Sequence, residues 1–287
     1  MPTIGAVKEI WRFPVKSMAG ESLASGTVGG LGIVGDRGWA LRDEKAGEIR
    51  GAKKMPQLMQ CHAAYDEEPA PGRIPAATIT LPNGDLVRTG DPAANQKLSA
   101  LLGRPVTLWP LQPKEDKDFY RRAAPDNPDM MAELREVFGR VGDEPIPDLG
   151  VFPPEILEFT SPLGTYFDVF PLHLLTTASL KELARHNPAA RFDVRRFRPN
   201  ILIDTGAAVD GFDETGWSGK TLTIGNVRIK LEIPCPRCVM PTLKQDDLPH
   251  DPSVLRTIVR EAAQNLGMYA TVAQAGKISV GDPVALE

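Results

Sequence analysis

The sequence TLTIGNVRIKLEI at residues 221–233 predicts a β-hairpin that turns at Gly225 and Asn226, a dipeptide suited to a tight turn. Directly after it, PCPRC at residues 234–238 places two cysteines and an arginine at the end of the second strand. Short runs of alternating or β-branched character, bounded by Gly, Pro, Asn or Asp, recur toward the N-terminus. These predicted strands cover residues 7–13, 39–42, 58–65, 78–81 and 106–109. Many short strands with little helix indicate a β-rich fold of the mixed α+β class.

Predicted helices separate some of these strands and flank the hairpin. In the N-terminal part, Pro92 suits the first turn of a helix over residues 91–102. Residues 111–158 are charged and rich in proline, and we interpret them as a connection between two lobes. Part of this connection, including a short helix over 130–138, must pack, because long structureless links are uncommon. The C-terminal part alternates again, with strands at 172–175 and 200–205, helices at 176–186 and 252–265, and a final strand and hairpin.

Composition excludes several classes of function. The chain has 287 residues, 42% hydrophobic and 24% charged, so it can bury a substantial core. Its net charge of −4 gives a nucleic-acid partner no electrostatic support. The first twenty residues lack the apolar run of a signal peptide, and no stretch approaches the ~18 apolar residues of a membrane helix. We therefore predict a cytoplasmic protein with neither a nucleic-acid nor a membrane partner.

Gly30, Gly32 and Gly35 match the spacing of a dinucleotide-binding loop. That loop must follow a strand and open a helix whose N-terminus holds the pyrophosphate. Here the sequence that follows, DRGWAL at residues 36–41, predicts a turn into a strand. We therefore interpret the three glycines as a glycine-rich turn.

Cys235 and Cys238 form the most informative motif, and it has four interpretations. A thioredoxin-like redox pair requires the first cysteine at a helix N-terminus, whereas this pair follows a strand and Pro241 disfavours a helix after it. A zinc site requires four ligands, and only His250 lies near in sequence. A single reactive thiolate at Cys238, favoured by the charge of Arg237, would suit a transition metal. Two structural cysteines are the fourth interpretation, and the residues alone leave all four open.

Basic and hydroxyl side chains occur in turns and at a helix start rather than along helical faces. A helix N-terminus with threonine hydroxyls can take a phosphate, and arginine or lysine in a turn can hold an anion. The side chains in question are Lys16, Ser17, Arg37, Lys53, Lys54, Thr176 and Thr177, together with the run RRFRPN at residues 195–200. Each alone is also consistent with a solvated turn or a helix cap. Together, in a chain of net negative charge, they favour a convergent anion pocket.

Five short motifs, taken in order along the chain, resemble those of the MOSC proteins, a family named for the C-terminal domain of molybdenum cofactor sulfurase. They are FPVKS at residues 13–17, GDRGW at 35–39, FRPN at 197–200, PCPRC at 234–238 and VGDPV at 280–284. The nearest subgroup resembles the mitochondrial amidoxime-reducing component and its bacterial relatives. The resemblance implies an N-terminal β-barrel domain at residues 1–115, a connecting segment at 116–160, and a MOSC β-barrel with flanking helices at 161–287.

The resemblance also implies a molybdenum–molybdopterin cofactor, with one protein cysteine as a ligand of the metal. By position in the motif, Cys238 is that ligand and hence the catalytic residue. The positions that hold the pterin and its phosphate in the family correspond here to Lys16, Ser17, Arg37, Thr176, Thr177, Arg198, Asn200 and Arg237. Lys53 and Lys54 lie near a family turn that contains arginine, and because they depart from it they are left unassigned.

The implied activity is the two-electron reduction of an N-hydroxylated small molecule, such as an amidoxime or hydroxylamine, with the oxygen released as water. Some bacterial relatives carry a C-terminal iron–sulfur domain, whereas this sequence ends at Glu287 with no further cysteines. We therefore expect the electrons to come from a separate donor of the reductase, ferredoxin or cytochrome type. The alternative function is a molybdenum cofactor or sulfur carrier that binds without turnover. A thiol-redox or zinc protein, in which both cysteines matter equally, is a third.

Overall fold

The structure, a computed structural model, describes residues 2–287. Within them the chain forms seventeen β-strands and seven α-helices. The strands are β1 (Thr3–Arg12), β2 (Glu21–Leu23), β3 (Ser25–Gly29), β4 (Gly32–Ile33), β5 (Trp39–Asp43), β6 (Glu48–Ile49), β7 (His62–Tyr65), β8 (Ala77–Thr80), β9 (Leu86–Arg88), β10 (Val106–Pro110), β11 (Leu172–Thr176), β12 (Ile201–Asp204), β13 (Thr221–Ile224), β14 (Val227–Pro236), β15 (Asn265–Gln274), β16 (Gly276–Ser279) and β17 (Pro283–Leu286). The helices are α1 (Pro92–Leu102), α2 (Lys117–Tyr120), α3 (Met130–Phe138), α4 (Glu155–Glu158), α5 (Thr177–His186), α6 (Val194–Phe197) and α7 (Pro252–Glu261). The predicted β-rich, mixed α+β class is confirmed.

Seven strands close into a barrel. Their order is β12-β11-β15-β14-β13-β17-β1, and β1 returns to pair with β12. Only β11 and β12 run parallel; the other neighbours in the ring are antiparallel. The hairpin predicted at residues 221–233 is β13 and β14, which pair Ile224 with Val227 across the predicted turn. Buried aliphatic side chains such as Leu222, Ile229 and Met268 form the core to which these strands contribute.

The barrel takes one strand from the N-terminal end of the chain. β1 pairs with β12, Val7 opposite Ile203, and its first residues pair with β17. A bulge between Val7 and Glu9 shifts the register, so that Val7 and Ile10 both join the barrel core. The alternation of side chains predicts a strand here. It does not predict which strand pairs with it, because long-range packing selects the partner. The domain boundaries stay a prediction. Two strands of the predicted N-terminal domain pair with strands of the predicted C-terminal domain: β1 with β12 and β17, and β3 with β16.

A second core fills the remaining N-terminal part. Two three-stranded sheets, β10-β5-β6 and β7-β8-β9, pack with α1 around buried side chains that include Leu41, Ile79 and Leu98. The predicted strand at 58–65 begins too early, because Pro56–Gln60 is a 3₁₀ helix and β7 starts only at His62. The glycine-rich turn joins β3 to β4 and leads to β5 rather than to a helix, so the rejection of a dinucleotide loop is confirmed.

Two helices cover the outside of the barrel. α5 and α7 place Leu183, Val254 and Ile258 against Leu175 and Leu202 of β11 and β12. α7 ends at Glu261, four residues before the predicted end, because the chain must turn into β15. Within residues 2–287, no helix combines the length and the apolar character needed to cross a membrane.

The connecting segment 116–160 is packed rather than extended. It contains α2, α3 and α4, and buries Tyr120 together with Phe159 and Tyr166 against Ala40 and Ile49. The Tyr120 hydroxyl donates a hydrogen bond of 2.6 Å to Gln112 O. These contacts anchor the segment against the sheet β10-β5-β6, and part of the segment lines the larger cavity of the candidate site.

Candidate active site

The predicted anion-binding turns meet where β1 and β14 end and β12 begins. A cavity of about 80 Å³ lies there, the small cavity, and a second of about 340 Å³, the large cavity, shares part of its lining. The structure brings seven of the nine predicted site residues to the small cavity. They are Lys16, Ser17, Arg37, Arg198, Asn200, Arg237 and Cys238.

Three of these residues hold a left-handed backbone conformation that residues other than glycine seldom adopt. φ is 70° at Ser17, 54° at Arg37 and 55° at Arg198. Such a conformation costs about 1–3 kcal/mol and is concentrated at functional sites. Backbone hydrogen bonds hold it in place, since Arg37 N donates to Phe13 O at 2.7 Å and Arg198 N to Val194 O at 3.2 Å. At Arg198 the conformation also ends α6, as a left-handed residue commonly ends a helix.

Arg198 is a buried cation without a negative partner in contact with it. Its Nη1 donates to Met18 O at 2.6 Å, its guanidinium lies 4.1 Å from the centre of the Phe13 ring, and no described residue pairs with Nη2. Burial lowers the pKa of Arg198, and the charge of Arg37 acts in the same direction. A guanidinium nevertheless stays protonated in proteins. The lowered pKa therefore reflects a buried charge that Asp36 and Asp168 compensate only in part, and a bound anion would stabilise it.

Hydrogen bonds from two other turns hold Asp36, which in turn orients Arg37. The Asp36 carboxylate accepts hydrogen bonds from Arg37 Nη1, from Phe13 N at 2.8 Å and from Asn200 Nδ2 at 2.9 Å. Asn200 Oδ1 in turn accepts from His173 N at 3.1 Å. The Asn200 amide is thus occupied inside the protein. Asn200 lines the small cavity, but its evident role is to position Asp36 and, through it, Arg37.

Arg237 lies beneath the two cysteines. Its Nη1 donates to Cys235 Sγ at 3.1 Å and its Nη2 to Phe197 O at 3.0 Å, while its buried Nε pairs with no described residue. Its backbone is also fixed, because Arg237 N donates to Gln264 O at 2.9 Å. The Nε–H of Arg237 is therefore available to a ligand, while Nη1 and Nη2 are engaged with neighbouring protein groups.

The two cysteines differ in the way the metal-ligand prediction requires. Cys235 is buried within β14, and burial raises the pKa of its thiol. Cys238 lies two residues beyond the strand, is partly exposed, and lines both cavities. The third cysteine, Cys61, belongs to the N-terminal core, where burial raises its pKa to about 12. No α-helix starts at either site cysteine, and residues 2–287 contain no group of three or more His, Cys, Asp and Glu placed to hold a metal ion.

Lys16 is held by an acidic residue that the sequence did not reveal. Its Nζ donates to Asp168 Oδ1 at 2.8 Å and to Tyr166 O at 2.7 Å, and Lys53 Nζ lies 3.2 Å from Asp168 Oδ2. Burial alone would raise the pKa of Asp168, but the charges of Lys16 and Lys53 hold it well below its usual range. Asp168 lines both cavities. No motif marks it, and Lys16 and Asp168 lie far apart in sequence.

Ser17 packs closely against Gly51. Its Oγ accepts a hydrogen bond from Ala52 N at 2.9 Å, and a Cβ at Gly51 would lie only 2.4 Å from that oxygen. Gly51 therefore permits the loop before Lys53 to approach the turn that carries Ser17. This approach also explains why Lys53 lines the large cavity.

Thr176 and Thr177 are not brought to either cavity, contrary to the expectation that they offer a helix start to the cofactor. Thr176 caps α5, accepting from Ser179 N at 3.2 Å and donating to Glu214 Oε2 at 3.1 Å. Thr177 Oγ1 donates to Asp204 Oδ1 at 3.1 Å. The sequence pattern of a helix cap is correct, but the two hydroxyls are directed at the buried Glu214 and the half-exposed Asp204 rather than at a cavity.

The large cavity contains residues that sequence reasoning did not connect with the site. It shares Cys238, Asp168 and Tyr269 with the small cavity. Burial raises the pKa of Tyr269 well above its usual range, so the phenol keeps its proton. Much of the remaining lining comes from the connecting segment 116–160, including α3. The combined arrangement offers an anion-binding set of arginines, an accessible thiol, and an adjoining compartment of molecular size.

Comparison with known proteins relates the chain to two domain families. The MOSC domain family matches residues 165–285, and the MOSC N-terminal beta barrel domain family matches residues 4–100. Mitochondrial amidoxime reducing component 2 of Bos taurus is 25% identical over 301 residues, covering 98% of this chain and 83% of that protein. The protein of the same name from Rattus norvegicus is 26% identical over 305 residues, with the same coverage. Molybdenum cofactor sulfurase of Drosophila willistoni is 36% identical over 100 residues, which are 34% of this chain and 12% of that protein.

Proposed function

The chain belongs to the MOSC-domain proteins, and from this premise we propose that it is a molybdenum-cofactor oxidoreductase that reduces N-hydroxylated compounds of the amidoxime or hydroxylamine type. The relatives named amidoxime reducing component, which align with 98% of the chain, support this substrate class. The observation that carries the proposal is the small cavity, in which an accessible thiol lies among buried, incompletely paired arginines.

The residues present fit the cofactor. A pyranopterin phosphate with a metal dithiolene is anionic and needs cations and a soft protein ligand. Arg198 and Arg237 each keep a buried nitrogen that no described residue satisfies, and an orphaned buried donor is costly unless a ligand pairs with it. Cys238 supplies the soft ligand. The residues that would hold the anionic parts are Lys16, Ser17, Arg37, Arg198 and Arg237, with Asn200 positioning Arg37 through Asp36.

When bound, the cofactor would supply a two-electron redox couple at the Cys238 end of the cavities. The overall change is R–NHOH + 2e⁻ + 2H⁺ → R–NH₂ + H₂O, in which the N–O bond breaks and the oxygen leaves as water. A separate reductase, ferredoxin or cytochrome would supply the electrons. The chain's own residues bind and orient: the arginines neutralise charge, Cys238 holds the metal, and the apolar part of the large cavity excludes water from the substrate.

The alternative function, a carrier that binds the cofactor without turnover, is less well supported. A carrier requires the small cavity only. The large cavity, which shares Cys238 and extends beside it for about 340 Å³, is in the size range of sites for small-molecule ligands, roughly 300–1,000 Å³. The large cavity therefore favours an enzyme.

The test is to purify the protein from a host that makes the cofactor and to measure molybdenum, zinc and released oxidised pterin per chain. We expect molybdenum and pterin near one per chain, and reduction of an amidoxime by a chemical reductant such as reduced methyl viologen. A known molybdoenzyme from the same host is the loading control. Zinc at one per chain, or a fully loaded protein that reduces no N-hydroxylated compound, would contradict the proposal; the second result would favour the carrier.

A further inference from the structure

Helix α3 buries one glutamate, whereas its apolar side lines a cavity. Of its nine residues, only Glu133 is buried, although the helix carries an apolar stripe at Met130, Leu134, Val137 and Phe138. These positions follow the i, i+4, i+7, i+8 spacing with which a surface helix normally packs against a core. Here all four residues line the large cavity instead. The stripe therefore faces a space rather than a protein surface.

Ion pairs and caps fix the helix in this orientation. Lys54 Nζ lies 2.7 Å from Glu133 Oε1 and 3.2 Å from Glu136 Oε1, which attaches the acidic side of α3 to the loop after Gly51. Asp129 caps the first turn, and Gly139 ends the helix with φ of 60°. The unpacked stripe is thus held in place by specific contacts at both ends and along one side.

Other parts of the lining of the large cavity are also apolar. Leu149, Phe152 and Ile156, which follow α3 in the connecting segment, line it together with Val169 and Met240. Residues 101–164, which include α3, lie between the two family matches, whereas Val169 and Met240 lie within the MOSC match. Much of the apolar lining therefore comes from the connecting segment.

The acidic groups in the lining already have partners. Glu48 pairs with Arg50 at 2.8 Å, and Asp126 pairs with the same arginine at 2.7 Å. Glu133 pairs with Lys54 and, as described above, Asp168 with Lys16. No carboxylate in the lining remains to bind a cationic ligand. Arg122 of the lining donates to the backbone carbonyls of Ile156 and Phe159, so the compartment offers a ligand mainly apolar surface.

We infer that the large cavity binds the uncharged aryl or branched-alkyl body of the substrate, with the apolar stripe of α3 as the element that determines specificity. This inference rests on the proposed function in taking Cys238 as the reacting end. The volume of the large cavity is sufficient for a molecule of one or two rings. Cys238 lines both the large cavity and the small cavity. Small charged N-hydroxylated compounds gain nothing from the stripe.

The test uses full-length protein without added cofactor and the neutral fluorescent probe N-phenyl-1-naphthylamine. We expect saturable binding with a blue-shifted emission. Leu134→Asp should weaken binding about tenfold or more, because the carboxylate would have to lose water against an apolar ligand. Met131→Asp is the matched control: Met131 is on the same helix, is 55% exposed and does not line the cavity, so binding should change less than about twofold. Equal weakening by both variants, or no saturable binding, would overturn the inference.

Two further measurements make the result unambiguous. If Leu134→Asp lowers the unfolding temperature so far that it cannot be titrated, Val137→Trp replaces it, since the larger side chain would fill the compartment and exclude the probe. The anionic analogue 8-anilinonaphthalene-1-sulfonate should bind more weakly than the neutral probe, and the reverse order would overturn the assignment of an uncharged ligand.

The same variants separate this inference from the proposed function. In loaded protein, Leu134→Asp should keep its molybdenum and pterin while the KM for an aryl amidoxime rises about tenfold and kcat changes little. Wild-type protein that binds the probe but never acquires molybdenum would contradict the proposed function alone. Loaded, active protein in which Leu134→Asp leaves KM unchanged would contradict the inference alone.

Discussion

The small cavity takes its lining from strand ends and turns of the barrel and its neighbour, whereas the large cavity takes much of its lining from the connecting segment 116–160. The small cavity concentrates three arginines and three strained backbone positions. In the large cavity the carboxylates are paired, and helix α3 presents its apolar stripe. The first arrangement suits a fixed anionic group, and the second suits an exchangeable apolar one. If the proposed function holds, one chain thus separates the binding of a cofactor from the selection of a substrate.

The largest expected difference concerns two buried arginines. Arg196 donates to four backbone carbonyls, those of Arg191, Pro241 and Pro249 at 2.9–3.0 Å and that of Leu243 at 3.4 Å. Arg196→Met would leave these acceptors unsatisfied and should lower the free energy of unfolding by about 3 kcal/mol or more. Arg198→Met removes an incompletely paired cation, so it should change stability by about 1 kcal/mol or less, in either direction. Urea unfolding of the cofactor-free variants measures both.

The same pair should show the reverse order in cofactor retention. Arg198→Met should lower pterin per chain about tenfold or more, because a charge-assisted contact to the anion is lost. Equal destabilisation by the two variants, with unchanged pterin in Arg198→Met, would mean that Arg198 is an ordinary structural arginine and would remove the contrast between the cavities.

A smaller effect is expected at the turn that joins the two cavities. Gly51→Ala would push a methyl group against Ser17 Oγ and break its hydrogen bond with Ala52 N, lowering the free energy of unfolding by about 1 kcal/mol. Pterin retention should fall with it, since Ser17 lines the small cavity. Gly30→Ala is the control, because no atom lies within 4 Å of the added carbon. If both substitutions behaved alike in unfolding and in pterin content, Gly51 would have no special role.

The smallest effect is a pH dependence at Asp168. Lys16 and Lys53 hold its pKa below the unfolded value, so the ionised carboxylate stabilises the fold above about pH 4, and this contribution is lost as the pH falls through the folded pKa. Asp168 is 42% exposed, which screens the pair. Asp168→Asn should therefore cost about 1 kcal/mol at pH 7 and progressively less below pH 4. The measurement is the free energy of unfolding of wild type and Asp168→Asn between pH 3 and 7. If the ion pair did not contribute, the difference between the two proteins would not change with pH.

Local features of the fold could be predicted from the sequence, and long-range ones could not. Gly225 and Asn226 fixed the central hairpin, and Pro92 the start of α1, because turn and cap chemistry is local. The closure of the barrel by β1 depends on which apolar faces meet, and alternation alone does not reveal the partner. The strand predicted at 58–65 was partly wrong because a 3₁₀ turn occupies its first residues.

The candidate site divides in the same way. Arginines and lysines in turns, with an accessible cysteine after a strand, could be found because their chemistry is visible in short motifs. Asp168 could not, since its partner Lys16 is remote in sequence and no motif surrounds it. The role of α3 could not either, because its apolar spacing predicts a packed helix and only the structure places that face on a cavity. Thr176 shows the converse case. Its role as a helix cap was predicted correctly, but its hydroxyl donates to Glu214 instead of lining a cavity.

The most direct test of the central claim is the molybdenum content of Cys238→Ser and Cys235→Ser, each purified beside wild type from a host that makes the cofactor. Removing a partner outside the ligand set costs roughly 10–100-fold in metal affinity, and loss of the ligand itself should exceed that. We predict that Cys238→Ser retains almost no molybdenum, whereas Cys235→Ser, which loses only the thiol that accepts from Arg237, retains most of it. Equal loss from the two variants, or full retention by Cys238→Ser, would contradict the assignment of Cys238 as the metal ligand.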